Sequence, residues 1–361
     1  MKVRLYKGSL KLVEKSGVGR AVHHQEAMLK AAGTDICRAG DRDADIVSIN
    51  TVFPDSVAAA IAAKLRGQKV IYYGHSTMED FRRSFKCSDL LAPLFRRWIM
   101  FCYSLGDVII TPTEYSRDLL TGYGIKKPVI AMSNGIDTGY FRPDSSCRAS
   151  FRQKYGLGED DKVVISAGHY IQRKGLPEFV TLASRLPDVQ FFWFGSTSLE
   201  LVPHQIREAV ENAPSNVHFP GYVERDEMRE AYCGCDLFCF MSHEETEGIV
   251  VLEALACRTP TVVRNIPVYD GWLRDGENVY KADNDEDFEV KVRAVLDGAL
   301  PSLAAAGMET AGERSYENIA VKLRTCCEEL LDTDGAFASQ AESIENSKNH
   351  RENVPSEEPL C

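Results

Sequence analysis

No stretch of this chain stays apolar long enough to cross a bilayer. The longest candidate, Trp98 to Ile110, is broken by Gly106 and Asp107 and falls short of the ~20 residues that a spanning helix needs. Met1 to Gly19 begins with Lys2 and Arg4 and holds no apolar core, so no secretory leader is expected. The 11 cysteines include no C-x-x-C pair, which argues against a zinc site and a disulfide scaffold. They read instead as reduced, mostly buried small hydrophobes of a cytosolic protein. A Walker A loop is missing, as is the third glycine of the dinucleotide fingerprint after Gly17-x-Gly19, which speaks against ATP use. No D-x-D directly follows any of the apolar runs that read as strands below, and Asp41-Arg42-Asp43 lies on a polar loop. The expectation is therefore a soluble or peripheral protein with no metal.

What is present is an ordinary globular composition, 44% hydrophobic and 26% charged over 361 residues, long enough for two domains of ~150 residues. Its charge is unevenly spread. Met1 to Pro143 carries 21 Lys and Arg against 14 Asp and Glu, while the remainder carries 21 against 39. A basic half joined to an acidic half suggests that the first half meets something anionic.

Short apolar runs alternate with helical stretches throughout, the pattern of α/β domains with doubly wound parallel sheets. Strands are predicted over Val3–Tyr6, Asp45–Asn50, Lys69–Tyr73, Val108–Thr111 and Pro128–Ala131, then Lys162–Ala167, Val189–Phe194, Leu237–Met241 and Thr261–Val263. Turn-forming residues from Ser133 to Asp144 mark a hinge. The chain thus divides into two Rossmann-like domains, 1–141 and 142–315, a C-terminal helix at 316–333, and a polar, disordered tail at 334–361. Two such sheets facing each other imply one shared cleft beyond their strand ends.

The most informative segment runs from Ser242 to Ala256. It follows an apolar strand and enters a helix, placing Glu245 on the loop and Glu253 one turn inside. Gly248 allows a tight turn, and the helix start offers free N–H groups to an anion. Carboxylates beside a phosphate site suit sugar hydroxyls; a solvated acidic loop capping a helix is the alternative reading.

Glu245-x7-Glu253 followed by Ala-Leu-Ala resembles the E-x7-E signature of the retaining glycosyltransferases of family 4, which have the two-domain GT-B fold. Gly17-x-Gly19, His75, Asn134-Gly135-Ile136-Asp137, Arg173-Lys174-Gly175, Gly195 and Gly221-Tyr222-Val223 fit in order. The phrases Glu14 to Arg20, Ile109 to Thr113, Glu244 to Glu253 and Ile266 to Tyr269 are similar to those of glycolipid synthases that add a second hexose to monoglucosyl diacylglycerol. The resemblance implies that Arg173 and Lys174 hold the donor diphosphate, where fixed cations stabilise departing charge. It implies that Glu253 binds the donor ribose, Glu245 faces the donor sugar, and His75 contacts the transferred hexose. Gly17 and Gly19 approach the diphosphate, with Gly195, Tyr222, Gly248 and Ile249 along the donor. His169 stands where many members carry Arg and keeps no assigned role.

A second segment, Phe81 to Phe101, mixes Arg and Lys with Phe, Trp and Leu. Arg82, Arg83, Lys86, Arg96, Arg97 and Trp98 suit an interfacial helix pair on anionic lipid; core helices with a solvated basic face are the alternative. Nucleic acid lacks a stacking platform here. The expected function is a peripheral enzyme on the inner face of the cell membrane. It moves a hexose from UDP-glucose or UDP-galactose to a glycosyl diacylglycerol, with no cofactor. Alternatives are a family 4 transferase with a soluble or cell-wall-precursor acceptor, and a non-catalytic lipid-binding protein. Keeping Arg173, Lys174, Glu245 and Glu253 together argues against the last.

Overall fold

The computed structural model describes residues 1–14, 16–37, 41–82, 84 and 88–332. Arg83, Lys86 and the expected tail at 334–361 lie outside the described residues.

The first half forms a six-stranded parallel sheet from β1 (Lys2–Tyr6), β2 (Asp35–Ile36), β3 (Ile46–Ile49), β4 (Lys69–Tyr73), β5 (Val108–Thr111) and β6 (Val129–Ala131). Helices α1 (Gly17–Ala31), α2 (Pro54–Leu65), α3 (Met78–Phe81), α4 (Ser88–Ser104) and α5 (Glu114–Gly122) connect them. After α6 (Ser145–Lys154), a second six-stranded sheet follows with β7 (Lys162–Ala167), β8 (Val189–Phe194), β9 (Val217–Gly221), β10 (Leu237–Phe240), β11 (Thr261–Arg264) and β12 (Tyr280–Ala282). Its helices are α7 (Leu176–Arg185), α8 (His204–Glu211), α9 (Arg225–Gly234), α10 (Ile249–Ala256), α11 (Asp285–Leu296) and α12 (Ala304–Gly312), and α13 (Tyr316–Asp332) closes the described chain.

Every strand expected from the apolar pattern forms, with ends shifted by at most one residue. The reason is visible in β3, β5 and β10, where every residue is buried: helices cover both faces, so a parallel strand must be apolar throughout. The edge strands β2, β9 and β12 are additions. Each gains its identity from pairing with one neighbour rather than from an apolar run of its own.

Strand order decides where a ligand can sit. In the first sheet the order β2-β1-β3-β4-β5-β6 reverses direction between β1 and β3. In the second, β12-β11-β10-β7-β8-β9 reverses between β7 and β10. Such switch points open crevices at the carboxyl ends of the strands. Arg173 and Lys174 follow β7, and Ser242 to Gly248 follow β10, so the two motif loops flank one switch point.

The last helix returns to the first half. On α13, Ile319, Leu323 and Cys327 pack with Val3, Met28 and Ile71 in one buried cluster. This crossing is stitched to the hinge: the Ile136 N–H donates to the Arg314 carbonyl at 2.9 Å, and the Tyr316 N–H to the Ile136 carbonyl at 3.0 Å.

Candidate active site

The two switch points face each other across a cavity of about 260 Å³. Gly17, Arg20, His75 and Asp80 line it from the first half; Gly168, His169, Arg173, Lys174, Gly195, Tyr222, Glu245, Glu247, Gly248 and Ile249 line it from the second.

At its floor lies a charge cluster built from the loops after β7 and β10 and from α3. Lys174 pairs with the Glu245 carboxylate, which also accepts from Ser242 Oγ at 2.7 Å. Arg173 Nη1 stands 3.7 Å from the same carboxylate, while its Nη2 reaches Asp80 Oδ1 of α3 at 2.9 Å. Burial pushes the Glu245 carboxyl up, but Lys174 and Arg173 pull it further the other way, below the ordinary carboxylate range. Charges taken out of water persist only when paired in this manner. Gly175 (φ +76°) makes the turn possible: a Cβ there would lie 2.4 Å from the Met241 carbonyl.

The start of α10 points into the cavity. Gly248 is its N-cap at φ +87°, and no side chain caps the helix, so its first N–H groups remain available to an anion. Gly195 (φ +108°) lets the loop after β8 approach closely, since a Cβ there would sit 2.4 Å from the Gly168 carbonyl.

His75 lies beyond β4, buried, with its Nε2 2.8 Å from Asn50 Oδ1. Asn50 Nδ2 donates to Gln25 Oε1 at 2.7 Å, and Gln25 Nε2 to Ser48 Oγ at 2.7 Å. Burial pushes the imidazolium down to about 4, so His75 is neutral at physiological pH and its ring is held by a relay of side chains.

Glu253 sits behind this front rank, 1% exposed. Arg20 Nη1 donates to both of its oxygens at 2.8 and 2.9 Å, and Tyr232 OH donates to Oε2 at 2.8 Å. Arg20 belongs to α1, so this pair joins the two halves. Other contacts do the same. Asn134 gives its backbone N–H and its Nδ2 to Glu247 Oε2 at 3.0 and 2.7 Å. Thr113 caps α5 and also donates to the Thr246 carbonyl at 2.9 Å.

The structure therefore gathers Arg173, Lys174, Glu245, His75, Gly17, Gly195, Tyr222, Gly248 and Ile249 around one cavity. Gly19 does not line it. Gly19 lies inside α1, where a Cβ would come 2.1 Å from the Glu14 carbonyl, so its smallness serves local packing. Glu253 touches the cavity only through Arg20. Arg20, Asp80 and Glu247 are site residues that sequence reasoning missed. Arg20 ends the segment Glu14 to Arg20, yet nothing local shows that it meets a carboxylate 233 positions away.

The expected lipid-facing set separates. Trp98 is half-buried and donates its indole N–H to the Val52 carbonyl at 2.7 Å, and Arg96 lies over the Tyr123 ring at 4.7 Å. Both side chains are thus held against other elements of the first half. Arg82 and Arg97 are exposed. The outward face of α4 is instead apolar, with Leu90, Leu91, Leu94 and Phe101 exposed. No helix among the described residues is long and apolar enough to cross a membrane. No group of three or more His, Cys, Asp or Glu among them could hold a metal ion.

Two facing parallel sheets with a cation-lined cleft define the GT-B class of fold. Solved structures agree: Anabaena HepE in complex with UDP and glucose superposes with a TM-score of 0.72 at 15% identity, covering 91% of this chain and 100% of that one. A sucrose-phosphate synthase from Thermosynechococcus elongatus gives 0.66 at 17% identity, covering 80% and 74%. Residues 20–140 match the family model Glycosyltransferase Family 4, and residues 148–311 match Glycosyl transferases group 1. The processive diacylglycerol alpha-glucosyltransferase of Acholeplasma laidlawii is 38% identical over 333 residues, 92% of this chain and 99% of the relative. The alpha-galactosylglucosyldiacylglycerol synthase of Streptococcus pneumoniae is 26% identical over 63% of this chain and 62% of its own length. The chain belongs to glycosyltransferase family 4.

Proposed function

We propose that this enzyme transfers a hexose, glucose in the first instance, from a UDP-sugar to a glycosylated diacylglycerol at a membrane surface, with retention at the anomeric carbon. The observation that carries this reading is the cluster of Arg173, Lys174 and Glu245 beside the uncapped start of α10, in a chain that aligns with a diacylglycerol glucosyltransferase along almost its whole length. The donor diphosphate sits between the two cations and the α10 N-terminus. Both stabilise the charge that grows on the leaving phosphate.

Glu253 takes the ribose, Glu245 the transferred hexose, and neutral His75 hydrogen-bonds the sugar near its reacting carbon. The acceptor hydroxyl attacks from the same face that the diphosphate leaves, and a leaving phosphate oxygen takes its proton. The cations replace a divalent metal in this scheme.

The first half carries the acceptor side. The exposed Leu90, Leu94 and Phe101 on α4, with Arg97 on the same helix, form an apolar and basic face suited to an anionic lipid surface.

Incubation with labelled UDP-glucose or UDP-galactose over vesicles containing monoglucosyl diacylglycerol tests the reading. A lipid-extractable diglycosyl product with a new α-linkage is expected. Transfer only to water-soluble acceptors would refute the lipid assignment, and a β-linkage would refute retention.

A further inference from the structure

Arg173 and Lys174 are not the only cations on the cavity: Arg20 lines it too, from the opposite half. Its guanidinium spans the cleft to Glu253, a carboxylate 1% exposed whose two oxygens are shared between Arg20 and Tyr232. A ribose diol that reaches Glu253 needs those same acceptor positions. Charge gives a second reason for exchange. Arg173 and Lys174 already face Asp80 and Glu245, so the cluster at the floor carries little excess positive charge for a diphosphate.

We infer that Arg20 is a donor-binding residue that exchanges partners: the ribose hydroxyls take over Glu253, and the released guanidinium moves to the diphosphate. Arg20 is placed for this. It lies in the first turn of α1, four residues after the N-cap Ser16, and its side chain is 32% exposed on the cavity wall. Tyr232 OH stays on Glu253 Oε2, so the buried carboxylate keeps one partner during the exchange. Because Arg20 comes from the first half and Glu253 from the second, the exchange also ties donor binding to how the halves are held together. This inference rests on the nucleotide-sugar reading above.

Calorimetric titration with UDP and with uridine, which has the ribose but no phosphate, tests it. In Arg20→Gln, uridine should bind as tightly as to wild type or several-fold tighter, because its competitor for Glu253 is gone. UDP should bind roughly tenfold or more weakly, the scale of one charge-assisted hydrogen bond. Arg20→Lys should recover part of the UDP affinity and shows that the fold tolerates change at this position. Equal losses for uridine and UDP would overturn the proposal, since Arg20 would then merely hold Glu253 in place. Unchanged UDP affinity would overturn it as well. Wild-type protein that binds neither probe would instead overturn the nucleotide-sugar reading.

Discussion

Replacing Lys174 with Met keeps an apolar stem against Gly168 and removes the ammonium, with both its charge and its hydrogen bond to Glu245. Two effects follow, and they separate in pH. Turnover should fall roughly 100- to 1,000-fold, the ~2.7–4 kcal/mol typical of losing one preorganised donor at developing charge. Stability should fall less than the ~3–5 kcal/mol of stripping a buried ion of its only partner. Glu245 retains Ser242 Oγ at 2.7 Å and Arg173 Nη1 at 3.7 Å, so about 1–3 kcal/mol is expected, the cost of an under-satisfied buried acceptor. In the wild type the Glu245 carboxyl titrates below its ordinary 4.5. Its contribution is therefore fully present above 4.5 and is lost as pH falls below that, through the lower folded-state value. Without Lys174 the carboxyl rises, so the deficit is largest at neutral pH, where an undercompensated charge stays buried. The deficit shrinks once the group is protonated. Urea midpoints of both proteins at pH 7 and pH 4.5, with sugar transfer measured at pH 7, read both effects. A pH-independent stability difference, or turnover within a few-fold of wild type, would refute the argument.

Burial pushes the imidazolium forms of His24 and His75 down to about 3 and about 4; stability should therefore drop as pH falls below 6.5, by roughly 1–2 kcal/mol per group by pH 5. His24→Gln, which can still donate to the Gly135 carbonyl, should flatten that slope in urea melts, and an identical slope would sink the assignment. Gly248→Ala should cost about 1–2 kcal/mol of backbone strain at φ +87° and reduce transfer by more than that destabilisation explains; wild-type transfer rates would remove the α10 N-terminus from donor binding. Activity should survive EDTA, and complete loss rescued by Mg²⁺ would show that the cations do not replace a metal. Leu90, Leu94 and Phe101 changed to Ser should weaken binding to anionic vesicles, each immersed side chain being worth ~1.5–3 kcal/mol, while UDP affinity is kept. Undiminished vesicle binding would place lipid contact elsewhere.

Pattern alone determined much of this protein. Strands buried on both faces must be apolar along their length, so β3, β5, β7, β8 and β10 were legible from local composition, as was the α/β class. The E-x7-E segment was equally local: a strand, a glycine turn and a helix start within 15 residues bring Glu245 and Gly248 to one loop. Tertiary structure decided the rest, because the deciding contacts join residues far apart in the chain. Whether a residue on α4 faces lipid or core depends on what packs behind it. Trp98 and Arg96 turn to Val52 and Tyr123, leaving leucines outside, and the amino-acid mixture of that helix is the same either way. The edge strands β2 and β12 exist only by pairing with a neighbour, and α13 finds the first sheet because its apolar stripe matches α1. Glu253 was visible as a carboxylate on a helix. That its two oxygens are held by an arginine from the opposite half follows from the closing of two switch points onto each other, which no local signal encodes.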